Sequence, residues 1–177
     1  MADSGADGAF SIRGFSVLTV HHCRAWGGED RAMWQPFTER TAKRRYENNG
    51  RRFSAVIGEV SDPDCVLEIN PQTSYRITVK FFDGHGSTRL SYGFWLMEPD
   101  TLFLRHVVRW EYPDDGKFHA MNEAVFIEDI FWEKPDGVVR RELRQGNSVS
   151  SEDYRDVLID ANWEPYPAFD DFASNRP

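Results

Sequence analysis

From residue 48 onward, turn-forming residues recur at an even spacing, and this constrains the fold more than any other feature. Asn48-Asn49-Gly50, Ser61-Asp62-Pro63-Asp64, Asn70-Pro71, Asp83-Gly84-His85-Gly86, Glu98-Pro99-Asp100, Pro113-Asp114-Asp115-Gly116 and Lys134-Pro135-Asp136-Gly137 cut the chain into short runs. Those runs are rich in Val, Ile, Phe, Tyr, Trp and Thr, the residues that suit a pleated surface. Short apolar runs between turn signals are the mark of antiparallel strands joined by hairpins.

Period-2 alternation supports this reading. Tyr75, Ile77, Val79 and Phe81 alternate with Arg76, Thr78 and Lys80. Leu90, Tyr92, Phe94 and Leu96 alternate with Arg89, Ser91, Gly93, Trp95 and Met97. Strict alternation over 101–112 puts Leu102, Leu104, His106, Val108 and Trp110 on one face, with Phe103, Arg105, Val107 and Arg109 on the other. Further strands are expected at 14–22, 52–60, 65–70, 122–133 and 138–145. The pattern falters at Glu128-Asp129, which calls for either an inward acid, costly unless paired, or a bulge that turns Glu128 outward; the bulge is the favoured expectation.

Helical composition is confined to 29–47, which Pro36 divides, and to 151–161, which follows a serine cap and is stopped by Pro165 and Pro167. The expected architecture is mainly β: an eight-stranded antiparallel up-and-down barrel over one domain, 1–177. Residues 1–10 read as a flexible lead-in and 24–50 as a helical, lid-like insert after the first strand. Residues 52–145 form the meander, and 150–177 a short C-terminal helix with an aromatic, proline-containing tail. A curved sheet wrapped on a C-terminal helix is the rival, but 151–161 is short for that role. The layout resembles in outline the calycin barrels of lipocalins and fatty-acid-binding proteins. The likeness is one of layout alone, and it implies an interior that takes a small apolar ligand.

Composition narrows the function classes. With 29 acidic and 21 basic residues the net charge is −8, which disfavours nucleic acid as a partner. No apolar run reaches the roughly 18 residues of a membrane span. The two cysteines, Cys23 and Cys65, and the absence of a leader pattern point to free thiols and a cytoplasmic setting. No metal or cofactor motif is found: His21-His22-Cys23 alternates across a strand, and Gly84-His85-Gly86 precedes a strand rather than a helix.

The candidate site follows from the barrel. Phe81, Phe94, Leu104, Trp110, Phe126 and Trp132 would supply buried apolar surface, while Tyr75, Tyr92 and His106 would orient a small hydrophobic or amphipathic ligand. Met33, Trp34 and Phe37 in the insert would close the mouth. Arg76, Lys80, Arg89, Arg105 and Arg109 would form a solvated outer wall; were the faces inverted, they would line a pocket for an anion such as a carboxylate. The insert 24–52 carries eight bases against four acids, a local excess of +4 that also suits an anion.

Two other readings stand beside ligand binding. His106 and Glu128 could act as acid and base in an isomerase, cyclase or lyase acting on a hydrophobic substrate. The chain could instead be an acidic, immunity-type interaction protein that engages a basic partner through Trp26, Trp163, Tyr166 and Phe169 or the acidic strip 111–136. A homodimer is compatible with all three.

Overall fold

The computed structural model describes residues 19–48, 50–98 and 100–171. The strands are β1 (Val20–Gly27), β2 (Ala32–Phe37), β3 (Phe53–Glu59), β4 (Asp62–Ile69), β5 (Tyr75–Phe82), β6 (Thr88–Glu98), β7 (Thr101–Glu111), β8 (Phe126–Phe131), β9 (Val139–Gln145), β10 (Ser148–Tyr154) and β11 (Trp163–Pro165), with one helix, α1 (Glu39–Glu47). All pairings are antiparallel, in the order β10-β9-β8-β7-β6-β5-β4-β3-β1-β2, and β11 adds to the first part of β7. The meander is as expected, with bounds close to those read from the turn signals.

Among the described residues the expected barrel is replaced by an open sheet of eleven strands: β10 and β2 are its ends and do not pair with each other. The space a closing strand would curl across is occupied. Ala42 and Tyr46, four residues apart on α1, pack with Phe53, Ala55, Ile57, Leu67, Ile69, Ile77, Val79, Leu102 and Phe169 in one cluster. The Tyr46 hydroxyl donates to the Pro167 carbonyl at 2.6 Å, and its ring stacks on Tyr166 at 5.3 Å. Burial pushes the Tyr46 phenol well above its ordinary pKa. A helix and the tail therefore cover this face, called here the α1 face.

Three local expectations change. Residues 32–37 are strand rather than helix, with Pro36 tolerated because β2 lies at the sheet edge. The helix starts later than expected, with Thr38 as its cap: the Thr38 hydroxyl accepts from the Thr41 amide, and Arg44 and Arg45 stand at the negative C-terminal end. Residues 148–154, expected in part as a C-terminal helix, form β10. Pairing with β9 holds that segment extended and sets Asp153 beside Arg140 at 2.8 Å. The lead-in 1–10 and most of the first expected strand, 14–18, lie outside the described residues.

His22 on β1 lies on the α1 face, buried and stacked on Phe169 at 5.4 Å. Desolvation holds its imidazole below the ordinary value of 6.5. The unfolded chain therefore binds a proton near pH 6.5 that the folded chain takes up only at lower pH, so this contribution to stability is complete above that pH and is lost as pH falls below it. Thermal melts between pH 7.5 and 5 are expected to show a steeper loss for the native chain than for His22→Phe. Parallel pH profiles would assign the effect elsewhere.

Candidate functional site

Two bulges decide which face the expected site residues occupy. Across β6 and β7, Phe94 pairs with Leu104 but Gly93 pairs with His106, leaving Arg105 as the extra residue. The alternation flips there. Leu102 and Leu104 stay on the α1 face with Tyr92, Phe94 and Leu96, while His106, Val108 and Trp110 turn to the opposite face. In β5, Tyr75 pairs with Trp95 and Ile77 with Phe94, so Arg76 is extra and Tyr75 is likewise turned away from Ile77. The polar groups expected inside, Tyr75 and His106, are exported from the core, whereas Tyr92 stays on its half-buried margin.

The other expected residues also scatter. Phe126 and Glu128 share the α1 face with Arg109, their β7 neighbour. Trp132, just past β8, donates its amide to the Arg105 carbonyl, and its buried indole N–H has no partner among the described residues. Met33 packs with Cys23, Val56 and Val66 on the far face, Phe37 packs on the α1 cluster and Trp34 is exposed, so the three form no common lid. Trp26 donates to the Val60 carbonyl and packs on Phe82, Trp163 lies against Phe103, and Phe169 is buried. These expected anchors for a partner are largely used within the fold.

Glu128 does not turn outward through a bulge. β8 pairs in unbroken register with both neighbours, and the carboxylate is held by Arg141 at 2.6 Å and Arg109 at 3.2 Å. Two guanidinium groups offset the desolvation that made an inward acid costly. His106 and Glu128 consequently face opposite sides of the sheet and cannot serve one cavity. The imidazole instead meets Asp129, with Nε2 and Oδ1 2.7 Å apart.

Among the described residues, three clefts on the far face bear on function. One of about 230 Å³ is lined by His106, Asp129, Phe131, Arg140 and Glu142. A carboxylate that orients an imidazole is the arrangement of a general base. This cleft, however, holds no serine, cysteine, threonine or lysine, and its Arg140 is engaged with Asp153. The second, of about 190 Å³, lies between Trp26, Phe82, Phe118 and Met121, with Lys80 and Glu68 at its side.

The third cleft, of about 220 Å³, has a different character. Ser54, Glu68 and Thr78 form a row across β3, β4 and β5, with both hydroxyl residues buried. Glu68 is balanced by Lys80 at 2.7 Å. Arg24, Arg52, Asn70 and Tyr75 complete the lining. Among the described residues neither Arg24 nor Arg52 has an acidic partner; Arg24 lies 5.9 Å from the centre of the Trp34 ring. Tyr75 can lie flat there because Gly93 is beneath it: a Cβ at Gly93 would stand 2.2 Å from the Tyr75 hydroxyl. The basic insert was legible in the sequence; its convergence with buried hydroxyls three strands wide was not.

Each cleft is smaller than the roughly 300–1,000 Å³ of a pocket that engulfs a drug-sized ligand. No protein-family model, no curated protein and no solved structure matches the chain. Among the described residues, no helix is long and apolar enough to cross a membrane.

Proposed function

We propose that this chain is a small-molecule-binding protein whose ligand is a compact anion, held on the far face of the sheet and not in a central lumen. The observation that carries the reading is the cleft where Arg24 and Arg52, free of acidic partners among the described residues, stand over the buried hydroxyl residues Ser54 and Thr78 beside Tyr75. Guanidinium groups supply forked donors to a carboxylate or phosphate, and hydroxyls add donors that can rotate to meet it. The tyrosine ring offers a flat apolar wall to a short carbon chain. Such a site suits a ligand of a few heavy atoms and works locally against the overall charge of −8.

The test is an NMR titration of the full chain with acetate, a short dicarboxylate and inorganic phosphate in turn. At least one of these is expected to shift the amides of residues 24, 52, 54 and 78 in a saturable way. A charged hydrogen bond is worth about 1.5–3 kcal/mol, so Arg24→Ala and Arg52→Ala should each weaken binding roughly tenfold or more. Shifts that are absent, or that survive both substitutions together, would remove the proposal.

A further inference from the structure

We infer that β10 is a self-pairing edge, through which two copies of this chain join their sheets across a two-fold axis at Ser151. The two ends of the sheet are unlike. At β2, Pro36 lacks an amide proton and Gln35 has a left-handed backbone (φ 50°), both of which blunt the edge. β10 has neither device. Its seven residues pair with β9 in unbroken register, and every one of them is exposed.

The hairpin fixes which backbone groups are free. β9 and β10 are joined by the two-residue turn Gly146-Asn147, closed by Gln145 opposite Ser148. In such a hairpin the closing pair exchanges both hydrogen bonds, and alternate residues thereafter turn their amides and carbonyls outward. Ser150, Glu152 and Tyr154 thus bond to β9, while Val149, Ser151 and Asp153 present theirs to the outside. Those three also carry their side chains on the far face.

Symmetry then selects the partner. Two antiparallel strands related by a two-fold axis normal to the sheet keep each face on its own side, so only residues of like parity stand opposite. Centring the axis on Ser151 pairs all seven residues: Ser151 with itself, Val149 with Asp153, Ser150 with Glu152 and Ser148 with Tyr154. The outward groups meet in about six inter-chain hydrogen bonds. No acid faces an acid directly, and Asp153 already has Arg140 beside it. Moving the axis to Glu152 would set two carboxylates face to face, and moving it to Ser150 would drive the turn residue Gly146 against Tyr154. The residual cost of the chosen register is Glu152, which lies diagonal to its own copy.

Strand pairing alone buries a small area, so the dimer is weak. Sedimentation velocity of the full chain from roughly 10 μM to 1 mM is expected to show a reversible monomer–dimer equilibrium. Ser151→Pro removes an outward amide without breaking a β9 bond, so it should leave a monomer with the native far-ultraviolet spectrum. Ser151→Lys, which sets two ammonium groups on the axis, should also yield a monomer and serves if the proline variant does not fold. Glu152→Gln should tighten the dimer severalfold. A chain that stays monomeric throughout, or a dimer indifferent to the Ser151 variants, overturns the edge. A dimer that Glu152→Gln leaves unchanged overturns the register.

Discussion

Truncation of Phe53 to alanine is expected to lower the unfolding free energy by about 3–5 kcal/mol, the range for deleting a buried aromatic ring. Phe53 opens β3 opposite Ile69 on the α1 face and is 1% exposed. Its ring stands 6.3 Å from Phe37 and 6.4 Å from His22, so it fills the corner where β1, β2 and β3 meet beneath the helix. The backbone of a central strand cannot collapse into the void, so the lost contacts are not regained. In a chain of this length such a loss lowers the melting temperature by roughly 10 °C. Val149→Ala, at a residue 63% exposed, should change the unfolding free energy by less than about 0.5 kcal/mol. Urea unfolding of both variants checks the claim; a loss below about 1 kcal/mol at Phe53 would mean that the α1 face is not packed as described.

Gly86→Ala is the second large effect. The residue has φ 89°, a left-handed conformation that L side chains rarely adopt, and an added Cβ would stand 2.3 Å from the Gly28 carbonyl oxygen. That oxygen belongs to backbone and cannot swing aside. Asp83 tightens the turn by accepting from the amides of His85 and Ser87, and Arg31 clips it to the β1–β2 turn through the Gly84 carbonyl at 3.0 Å. Left-handed strain costs about 1–3 kcal/mol, and the clash requires the two turns to separate. The sum should approach the upper end of that range or pass it. Because Gly28 and Gly86 line the same cleft as Trp26, separation should also wet that indole and shift its fluorescence to the red. Gly84→Ala, where nothing stands within 4 Å, is the control and should be nearly neutral. A Gly86 variant as stable as this control would refute the contact between the turns.

The β meander could be read from the chain because its signals are local. Turn residues at Asp83-Gly84 or Pro135-Asp136 act over a few positions, and the alternation of Leu90, Tyr92, Phe94 and Leu96 needs only one partner face to be apolar. Seven of the eight expected strands lie where the turn signals put them, and the eighth is met in its last part by β1. The segment at 148–154 was missed because an Ser-Glu-Asp opening also suits a helix start, and the choice lay with Arg140 and the rest of β9 across the hairpin.

The candidate site was harder to see. Tyr75 and His106 stand out in the sequence as polar exceptions to an apolar pattern, yet simple alternation puts them on the face opposite to the one they occupy. Arg76 and Arg105 are ordinary strand residues, and nothing local marks them as the extra residue of a bulge. Arg105 is placed by what it meets across the sheet: the Trp95 ring at 3.6 Å and the Trp132 carbonyl at 2.8 Å. The same applies to Glu128, whose inward position depends on guanidinium groups from two other strands.

The strands of the meander, the turn positions, the charge and the basic insert are thus properties of the linear chain, since each depends on neighbours within a few residues, whereas β2, β10 and β11 were added by their pairing partners. Whether the sheet closes, which side His106 and Tyr75 face, and which arginines remain without acids depend on contacts between residues from about 10 to about 120 positions apart. A single inserted residue reverses every later side chain at almost no local cost, so only the packed assembly can choose between the two faces.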